Sequence, residues 1–384
     1  MMPFALPPAE TRLPLSALLS GFLPLSNNFS EKFETYLGVD DCVLANSARS
    51  ILYLLFCTLR GRHHADNARE VLLPGYTCYS VAAAVVKSGL RVALYDMDPH
   101  TLQPDFDDVR RKINSRTLAV IGQHLLGIQT DIKGLAEIAH QHDICCIEDS
   151  AQSLMPRQIN NGSIMAADYV LFSFGRGKPL PLGGGGALIA KEQNTLSLVK
   201  KKLRGMPLQS TNRLFPLAVQ LLSRPCFYWM LELLPLGLGR TIYDTSFSTA
   251  PMSSLHQRIG DRALIRLKRL DRHRGNISRI YCTYFGGNVE KVPSHIRFPL
   301  LVANQNQVST ITKLGARRLY PLALCDLPDF VNNLCKVGSE SLPGAREIAS
   351  QLITLPTHLS VDPKIAEMIC REVTARFREI HLVR

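Results

Sequence analysis

Two residues in the middle of the chain carry side chains that could act together in catalysis, Asp149 and Lys178. Asp149 follows the apolar run 144–147, which predicts a buried strand with a carboxylate at its carboxyl end. A second apolar run, 169–174, leads through Ser173 to Lys178 in a Gly-Arg-Gly turn, where partial desolvation would make a lysine amine usable as a nucleophile. In α/β sheets, ligands bind at the edge formed by the carboxyl ends of the strands. Asp149 and Lys178 therefore predict a site that combines a carboxylate with an amine.

Apolar runs alternate with helical patterns along the first half of the chain. Strands are predicted at residues 43–45, 71–73, 92–95, 118–121, 144–147, 169–172 and 187–190. Helices are predicted at residues 29–37, 48–59, 80–88 and 132–142. This alternation is typical of a mainly parallel sheet that is covered by helices on both faces.

The remainder of the chain predicts a smaller α+β unit. A boundary is expected near residues 241–251, followed by a long basic helix, strands near 296–302 and 319–324, and a last helix near 363–376. A length of 384 residues is also sufficient for two domains. We therefore predict an arm at residues 1–28, a large domain at 29–245 and a small C-terminal domain at 246–384.

Composition restricts the compartment and the class of partner. The ten cysteines include no Cys-x-x-Cys pattern, which argues for reduced thiols and against a zinc site or a disulfide framework. The first residues lack the basic region and apolar run of a secretory signal, so a cytoplasmic protein is expected. The net charge of +12 invites a nucleic-acid partner. However, the densest basic segment, 262–274, has leucines at helical spacing, so we interpret its charges as the solvated face of a helix and predict no nucleic-acid binding.

A very apolar segment spans residues 214–239. Arg224, Glu232 and three prolines interrupt it, so no uncharged run reaches the ~18 residues of a membrane span. We interpret this segment as a subunit interface, with weak contact to a membrane surface as the alternative.

Several short motifs occur together in one order. They are Glu-Asp-Ser-Ala-Gln at 148–152, Ser-Phe-Gly-Arg-Gly-Lys at 173–178 and the glycines at 183–186, with supporting segments at 29–50, 72–90, 95–99, 124–127 and 345–358. In this order and spacing the chain resembles the DegT/DnrJ/StrS-type sugar aminotransferases, which are pyridoxal-phosphate (PLP) enzymes of the aspartate-aminotransferase fold, fold type I. The resemblance implies an α/β large domain with a mainly parallel sheet, a homodimer, and PLP as the cofactor.

The resemblance assigns three residues to the cofactor ring. Lys178 matches the lysine whose amine bonds to the aldehyde of PLP and later moves a proton. Asp149 matches the partner of the pyridine nitrogen, where a nearby anion favours the protonated ring. Gln152 matches a residue that binds near the phenolic oxygen. Taken singly, Lys178 could be a surface turn residue and Asp149 a helix cap.

The resemblance assigns other residues to the cofactor phosphate. Ser173 matches a serine that contacts this group, and Ser47 and Ala48 match a pair whose backbone amides meet it. The glycines at 183–186 would let the backbone pass close to the cofactor. From the residues alone, Asn46 or Ser47 could instead be the N-cap of the helix that follows.

The chain departs from the family pattern at two places. Where the family usually stacks an aromatic ring on the cofactor, this chain has Cys78, so either Tyr79 covers the cofactor or binding is weaker. The family's Gly-Tyr-Asn-x-Arg-Met, which reaches the neighbouring subunit's site, is replaced at residues 247–252 by Phe-Ser-Thr-Ala-Pro-Met.

The reaction implied by the resemblance is amino transfer from a donor, expected to be glutamate, to a keto-sugar carried on a nucleotide, in surface-polysaccharide or secondary-metabolite sugar synthesis. Two alternatives are open. One is another fold-type-I PLP reaction on a non-sugar substrate. The other is a non-catalytic relative that acts as a binding partner, suggested by Cys78 and by the changes at 247–252.

Overall fold

The computed structural model describes residues 5–9, 12–13, 15–23, 27–62, 69–154, 165–209, 218, 221–228, 241–303, 305–328, 330, 333–334 and 341–383. Its main element is a seven-stranded sheet in the order β1-β7-β6-β5-β4-β2-β3. The strands are β1 (Val43–Ala45), β2 (Glu70–Pro74), β3 (Arg91–Tyr95), β4 (Thr117–Gln123), β5 (Cys145–Asp149), β6 (Tyr169–Ser173) and β7 (Gly186–Ala190). Only β7 runs antiparallel to its neighbours, β1 and β6. The predicted fold class, an α/β fold with a mainly parallel sheet, is confirmed.

Helices cover both faces of this sheet. The helices of the described residues, in chain order, are α1 (Leu15–Phe22), α2 (Phe29–Leu37), α3 (Ala48–Arg62), α4 (Tyr79–Lys87), α5 (Phe106–Lys112), α6 (Ile132–His140), α7 (Gln193–Arg204), α8 (Ser254–Ala263), α9 (Leu267–Tyr284), α10 (Pro343–Gln351) and α11 (Pro363–Arg376). Alternate residues of β6 enter opposite cores, Leu171 on the side of α3, α4, α6 and α7, and Phe172 on the side of α1, α2 and α8. Because both faces of these strands are buried, the strands appear in the sequence as unbroken apolar runs.

A second, antiparallel sheet has the order β11-β8-β10-β9, made of β8 (Arg297–Val302), β9 (Arg317–Arg318), β10 (Leu352–Pro356) and β11 (Ile380–Leu382). Helices α9 and α11 share a core with one face of this sheet. These elements form the α+β unit expected at the C-terminal end. The proposed division at residues 245 and 246 stays a prediction, and α8, which follows it, packs into the core of the large sheet beside α1 and α2.

The strand predicted at 319–324 is wrong. The strand in this region ends at Arg318, and a 3-10 turn occupies Leu324–Asp326. The backbone amides of Tyr320, Leu322 and Leu324 donate to the Tyr76 hydroxyl, the Tyr79 hydroxyl and the Gly75 carbonyl, respectively. Because these amides bond to the β2–α4 connection and to the first residue of α4, the segment cannot extend the second sheet.

The basic segment 262–274 is helical but interrupted, since a 3-10 turn at Leu264–Arg266 separates α8 from α9. Its interpretation as wholly solvated is wrong at Arg274, which is only 3% exposed. The guanidinium of Arg274 donates to the carbonyls of Pro179 and Lys178, at 3.0 and 3.4 Å. One arginine of this helix therefore supports the backbone that carries Lys178.

The predicted arm at residues 1–28 contains a helix that the sequence analysis did not predict. Ala17 and Leu18 on α1 are fully buried against α8. The apolar segment 214–239 lies largely outside the described residues, so its interpretation stays a prediction. Among the helices that the structure describes, none has the length and apolarity needed to cross a bilayer.

We predict that Gly186→Ala destabilises the protein. A Cβ at this position would lie 2.5 Å from the amide nitrogen of Ala48 and 2.9 Å from the Phe172 carbonyl, so backbone would have to move. A loss of about 1–3 kcal/mol in the free energy of unfolding is expected, measured by urea denaturation. Gly61→Ala is the control, because its Cβ would meet nothing within 4 Å. Equal stabilities of the two variants would contradict the prediction.

Candidate active site

A cavity of about 330 Å³ opens at the carboxyl ends of the central strands. Strands β4, β5 and β6 end at its floor, and helices α3 and α4 begin at its wall. Of the eight predicted site residues, seven line this cavity: Ser47, Ala48, Cys78, Asp149, Gln152, Ser173 and Lys178. The other lining residues are Arg49, Leu52, Ser80, Val81, Gln123, His124, Leu125, Ala151, Leu171, Thr241, Ile242 and Tyr320.

Asp149 is the last residue of β5 and is buried at the cavity floor. One of its carboxylate oxygens accepts a hydrogen bond of 2.9 Å from the Ala151 amide. Burial raises the pKa of Asp149 above its usual value, against the opposing effects of the Ala151 amide, of Lys178 and of His124. The carboxylate therefore needs a positive group in the cavity, and a protonated ring nitrogen would supply one.

His124 follows β4 and has a defined tautomer. Its Nδ1 accepts from the Thr130 amide at 3.0 Å, so the neutral ring carries its proton on Nε2, which donates to Glu148 at 3.0 Å. The same carboxylate oxygen of Glu148 accepts from the Ser150 hydroxyl at 2.6 Å. The histidine and glutamate thus hold the turn that presents Asp149.

Lys178 lies in a tight turn after β6. Its amide donates to the Gly175 carbonyl at 3.3 Å, and Gly177 has a φ of +71°, a conformation that glycine adopts without strain. The Ser173 hydroxyl accepts a hydrogen bond of 3.4 Å from the Gly175 amide. The turn therefore brings the amine and the hydroxyl to the same cavity, as their spacing predicts.

The first turn of α3 forms another wall. Ser47 accepts from the Ser50 amide at 3.1 Å, which is the N-cap geometry weighed in the sequence analysis. The amides of Ala48 and Arg49 precede the first intrahelical hydrogen bond and suit an anion. Of the glycines at 183–186, Gly186 admits protein backbone, since a Cβ there would meet Ala48. The expectation that these glycines let the backbone pass close to the cofactor stays a prediction.

Tyr79 is the predicted site residue that the structure does not bring to the cavity. Its ring is buried, and its hydroxyl donates to the carbonyl of Leu322 at 2.9 Å and accepts from the amide of the same residue at 3.0 Å. Cys78 does line the cavity, with its Sγ 3.0 Å from the Ser80 hydroxyl. The aromatic ring at the cavity wall belongs instead to Tyr320.

Two lining residues, Arg49 and Tyr320, were missed by sequence reasoning. Arg49 directly follows Ser47 and Ala48, the pair predicted to contact the phosphate, so its position in the first turn of α3 was the available signal. Its guanidinium lies 4.3 Å from the Phe247 ring centroid. Tyr320 lies far along the chain in a segment predicted as strand, and no local pattern marks it. Its hydroxyl accepts from the Gln152 side chain at 2.9 Å.

The segment 247–252 contacts its own chain. The Ala250 carbonyl accepts from the Asn46 amide at 2.9 Å, and the Ser248 carbonyl accepts from the Ser50 hydroxyl at 3.0 Å. These bonds place the segment against the first turn of α3, beside the cavity. A role in a neighbouring subunit stays a prediction.

The donor set fits the cofactor implied by the sequence. An amine, a buried carboxylate with a raised pKa, a serine hydroxyl and a helix N-terminus surround one cavity, which matches an aldehyde, a pyridine nitrogen and a phosphate. Within the part of the chain that the structure describes, no group of three or more His, Cys, Asp or Glu side chains could hold a metal ion. Asp96, which follows β3, accepts hydrogen bonds from the Gly344 and Ala345 amides at the start of α10.

Comparison with known proteins supports the same chemistry. The sequence pattern of the DegT/DnrJ/EryC1/StrS aminotransferase family matches residues 17–374. The chain is 30% identical to a dTDP-4-dehydro-2,3,6-trideoxy-D-glucose 4-aminotransferase of Saccharopolyspora spinosa, over 45% of this chain and 44% of the relative. It is 29% identical to a GDP-perosamine synthase of Caulobacter vibrioides, over 48% of each chain. The chain thus spans about half the length of the curated relatives it matches.

A solved structure extends the similarity to nearly the whole fold. The Helicobacter pylori aminotransferase PseC, involved in the biosynthesis of pseudoaminic acid, superposes with a TM-score of 0.76 and 17% sequence identity. The superposition covers 97% of this chain and 99% of that one. At this level of identity the likeness establishes the fold.

We predict that Asp149→Asn changes how stability depends on pH in the cofactor-free protein. Burial raises the folded-state pKa of Asp149, so its stabilising contribution is complete below the unfolded pKa and declines as pH rises through the folded pKa. Asparagine does not ionise and avoids this loss. Relative to wild type, the variant should gain about 1.4 kcal/mol for each unit by which the pKa is raised.

The measurement is thermal or urea unfolding of both proteins from about pH 4 to about pH 7.5, a window that begins near the usual aspartate pKa. Asp98→Asn, at an exposed position, is the matched control. A stability difference between Asp149→Asn and wild type that stays constant with pH would contradict the assigned effect of burial.

Proposed function

The chain belongs to the DegT/DnrJ/EryC1/StrS aminotransferase family, and on this premise we propose that it is a PLP-dependent aminotransferase acting on a keto-sugar carried by a nucleotide. The observation that carries the proposal is that Lys178, Asp149 and Ser173 line one cavity. PLP chemistry requires an amine, a carboxylate at the pyridine nitrogen and donors for the phosphate. The cavity offers all three.

Three groups of residues would hold PLP. The α3 amides at Ala48 and the hydroxyls of Ser47 and Ser173 would bind the phosphate, Asp149 would keep a proton at the pyridine nitrogen, and Lys178 would bond to the aldehyde carbon. When bound, PLP supplies an electron sink for the negative charge that remains when a carbon–hydrogen bond breaks.

Lys178 would also move the proton. Its Nζ would remove the proton from the α-carbon of a bound amino donor, and would later deliver a proton to the sugar carbon that receives the amino group. Arg274 donates to the carbonyl of Lys178, a contact that would hold the turn in place during both transfers.

The substrates and assembly are proposed from the family and its relatives. Two relatives have names that specify dTDP- and GDP-linked sugars, which supports a keto-sugar nucleotide as acceptor. Glutamate is the proposed donor, and a homodimer in the cytoplasm is the proposed form. The pathway proposed is the synthesis of a surface polysaccharide or of a secondary-metabolite sugar.

The alternative of a non-catalytic relative rests on Cys78, which offers the cofactor less contact than an aromatic ring. Tyr320 weakens this argument, because its aromatic ring lines the same cavity although residue 78 is a cysteine. Retention of both Lys178 and Asp149 favours catalysis. Another PLP reaction would be recognised by its products when a panel of amino donors is supplied.

We predict that Lys178→Ala abolishes amino transfer. Losing the amine removes both the covalent attachment and the proton carrier, so turnover should fall by about three orders of magnitude or more. The measurement is the amount of 2-oxoglutarate formed from glutamate with a panel of keto-sugar nucleotides. Lys201→Ala, at an exposed lysine of α7, should keep wild-type turnover.

A second readout tests attachment without turnover. Wild type with added PLP should gain a visible absorption band, and borohydride reduction followed by peptide mapping should label Lys178. Full turnover in Lys178→Ala, or a folded wild type that stays colourless with no labelled lysine, would overturn the proposed function.

A further inference from the structure

His295, just before β8, is a buried histidine whose protonation state the structure defines. Its ring is 5% exposed. Burial lowers its pKa to about 4, against the opposing effect of the Leu126 carbonyl. The ring is therefore neutral at neutral pH and carries one N–H group. Nδ1 lies 3.1 Å from the Leu126 carbonyl oxygen, and because a carbonyl oxygen only accepts, this N–H group belongs to Nδ1.

The backbone at His295 is fixed to the second sheet and pressed against a turn of the first. The hydroxyl of Thr357, which follows β10, donates to the His295 carbonyl at 2.8 Å. In the turn at Leu125–Gly127, a Cβ at Gly127 would lie 3.2 Å from the Ser294 carbonyl oxygen and 3.7 Å from the Gln152 carbonyl oxygen. The turn therefore lies tightly between the segment that carries His295 and the segment that carries Gln152.

Leu126, within this turn, has a left-handed backbone. Its φ of +57° and ψ of 15° lie in a region that residues with a Cβ adopt rarely, and its side chain is fully buried. Its amide donates to the Gln152 side-chain oxygen at 2.8 Å, and its carbonyl accepts from His295. Such a conformation persists where the surrounding contacts hold it. His295 and Gln152 thus hold Leu126 at its two backbone polar groups.

The Leu126 amide determines which way the side chain of Gln152 is turned. A backbone N–H can only donate, so the atom that faces it is Oε1 and the NH2 group lies on the other side. This NH2 group donates to the Tyr320 hydroxyl at 2.9 Å. Gln152 and Tyr320 both line the cavity, whereas His295 is not among the lining residues.

We propose that His295 is a positioning residue for the active site, which acts through Leu126 to keep the NH2 group of Gln152 toward the cavity. The second N–H of this group is then left for an anionic oxygen. The phenolic oxygen of PLP is such a group, because it is a neighbour of the aldehyde carbon to which Lys178 would bond. This inference rests on the proposed aminotransferase function and adds to it a residue of the C-terminal unit that controls protonation at the cofactor.

The proposed contact predicts how protonation at the bound cofactor depends on pH. The nitrogen that joins Lys178 to PLP carries a proton that the ionised phenolic oxygen attracts. A hydrogen bond donated by Gln152 to this oxygen offsets part of its negative charge, so the nitrogen loses its proton at a lower pH. When the Gln152 donor turns away, the midpoint of this transition should rise.

The test is a pH titration of the visible absorption band of the PLP-loaded protein, from about pH 5.5 to about pH 10. His295 stays neutral in this range because its pKa of about 4 lies below it. His295→Leu removes the Nδ1 donor, and the midpoint should rise by about 0.5 to 1 pH unit. His295→Asn should keep the wild-type midpoint, because its NH2 group takes the place of Nδ1.

His273→Leu is the matched control. His273 lies on α9, and its Nε2 is 3.1 Å from the His358 carbonyl oxygen, so this variant also loses a bond from a ring to a carbonyl. Its midpoint should equal that of wild type. The titratable and charged groups at the cavity are the same in all of these variants, namely Arg49, Cys78, His124, Asp149, Lys178 and Tyr320.

Gln152→Leu tests whether His295 acts through Gln152. This variant alone should raise the midpoint at least as far as His295→Leu does. Adding His295→Leu to it should cause no further rise, because the donor that His295 positions is already absent.

Three results would overturn the inference. The first is a wild-type midpoint in His295→Leu, or in His295→Gln if the leucine variant does not fold, since glutamine places its NH2 group near Nε2 and lacks the Nδ1 donor. The second is a rise in His295→Asn or His273→Leu equal to that in His295→Leu, which would indicate a general loss of packing. The third is an equal rise when His295→Leu is added to Gln152→Leu, which would indicate another route.

Hydrogen exchange of the Leu126 amide tests the same contact without the cofactor. In the PLP-free protein this amide should exchange faster in His295→Leu than in wild type or His273→Leu, and equal exchange would contradict the role of His295. The two proposals therefore fail separately. A wild type that stays colourless with PLP, or that titrates as expected but transfers no amino group, contradicts the aminotransferase function and leaves the exchange result to decide the role of His295.

Discussion

The backbone of β7 lies against the first turn of α3 at a distance that no side chain would permit. Gly186 allows this contact, and the Gly185 amide donates to the Asn46 carbonyl at 2.8 Å beside it. The contact holds α3 against β7, the strand that lies between β1 and β6 in the sheet. As a result, the first turn of α3 and the turn that carries Ser173 and Lys178 line the same cavity.

Charge in the cavity is arranged around one buried carboxylate. Burial disfavours the ionised form of Asp149 and raises its pKa, and Lys178 and His124 offset only part of that effect. Arg49 at the cavity wall adds positive charge, and the Asp244 carboxylate lies 3.9 Å from its guanidinium. A site of this kind is stabilised by ligands that bring both a protonated nitrogen and anionic groups, which describes PLP together with an amino-acid donor.

Short motifs predicted much of the site, because each one places its residues within a few positions of a strand end. Residues 148–152 and 173–178 follow adjacent parallel strands, so strand pairing brings Asp149 and Lys178 to the same cavity. Tyr79 was expected there as well, yet the helix that begins at this residue turns its ring towards Leu322. Tyr320 lines the cavity instead, and its backbone amide and carbonyl both bond to the side-chain hydroxyl of Tyr76, 244 positions away.

The sequence by itself determined the α/β class, the order of the elements and the amine–carboxylate pair, because hydrophobic period and turn chemistry are local properties of the chain. The tertiary structure decided which aromatic ring lines the cavity, that Arg274 is buried beneath the Lys178 turn, and that His295 bonds to the turn beside Gln152. These features depend on which distant segments meet. Burial and hydrogen-bond satisfaction are properties of packed neighbours, and the same arginine is a solvated charge or a buried donor according to what folds over it.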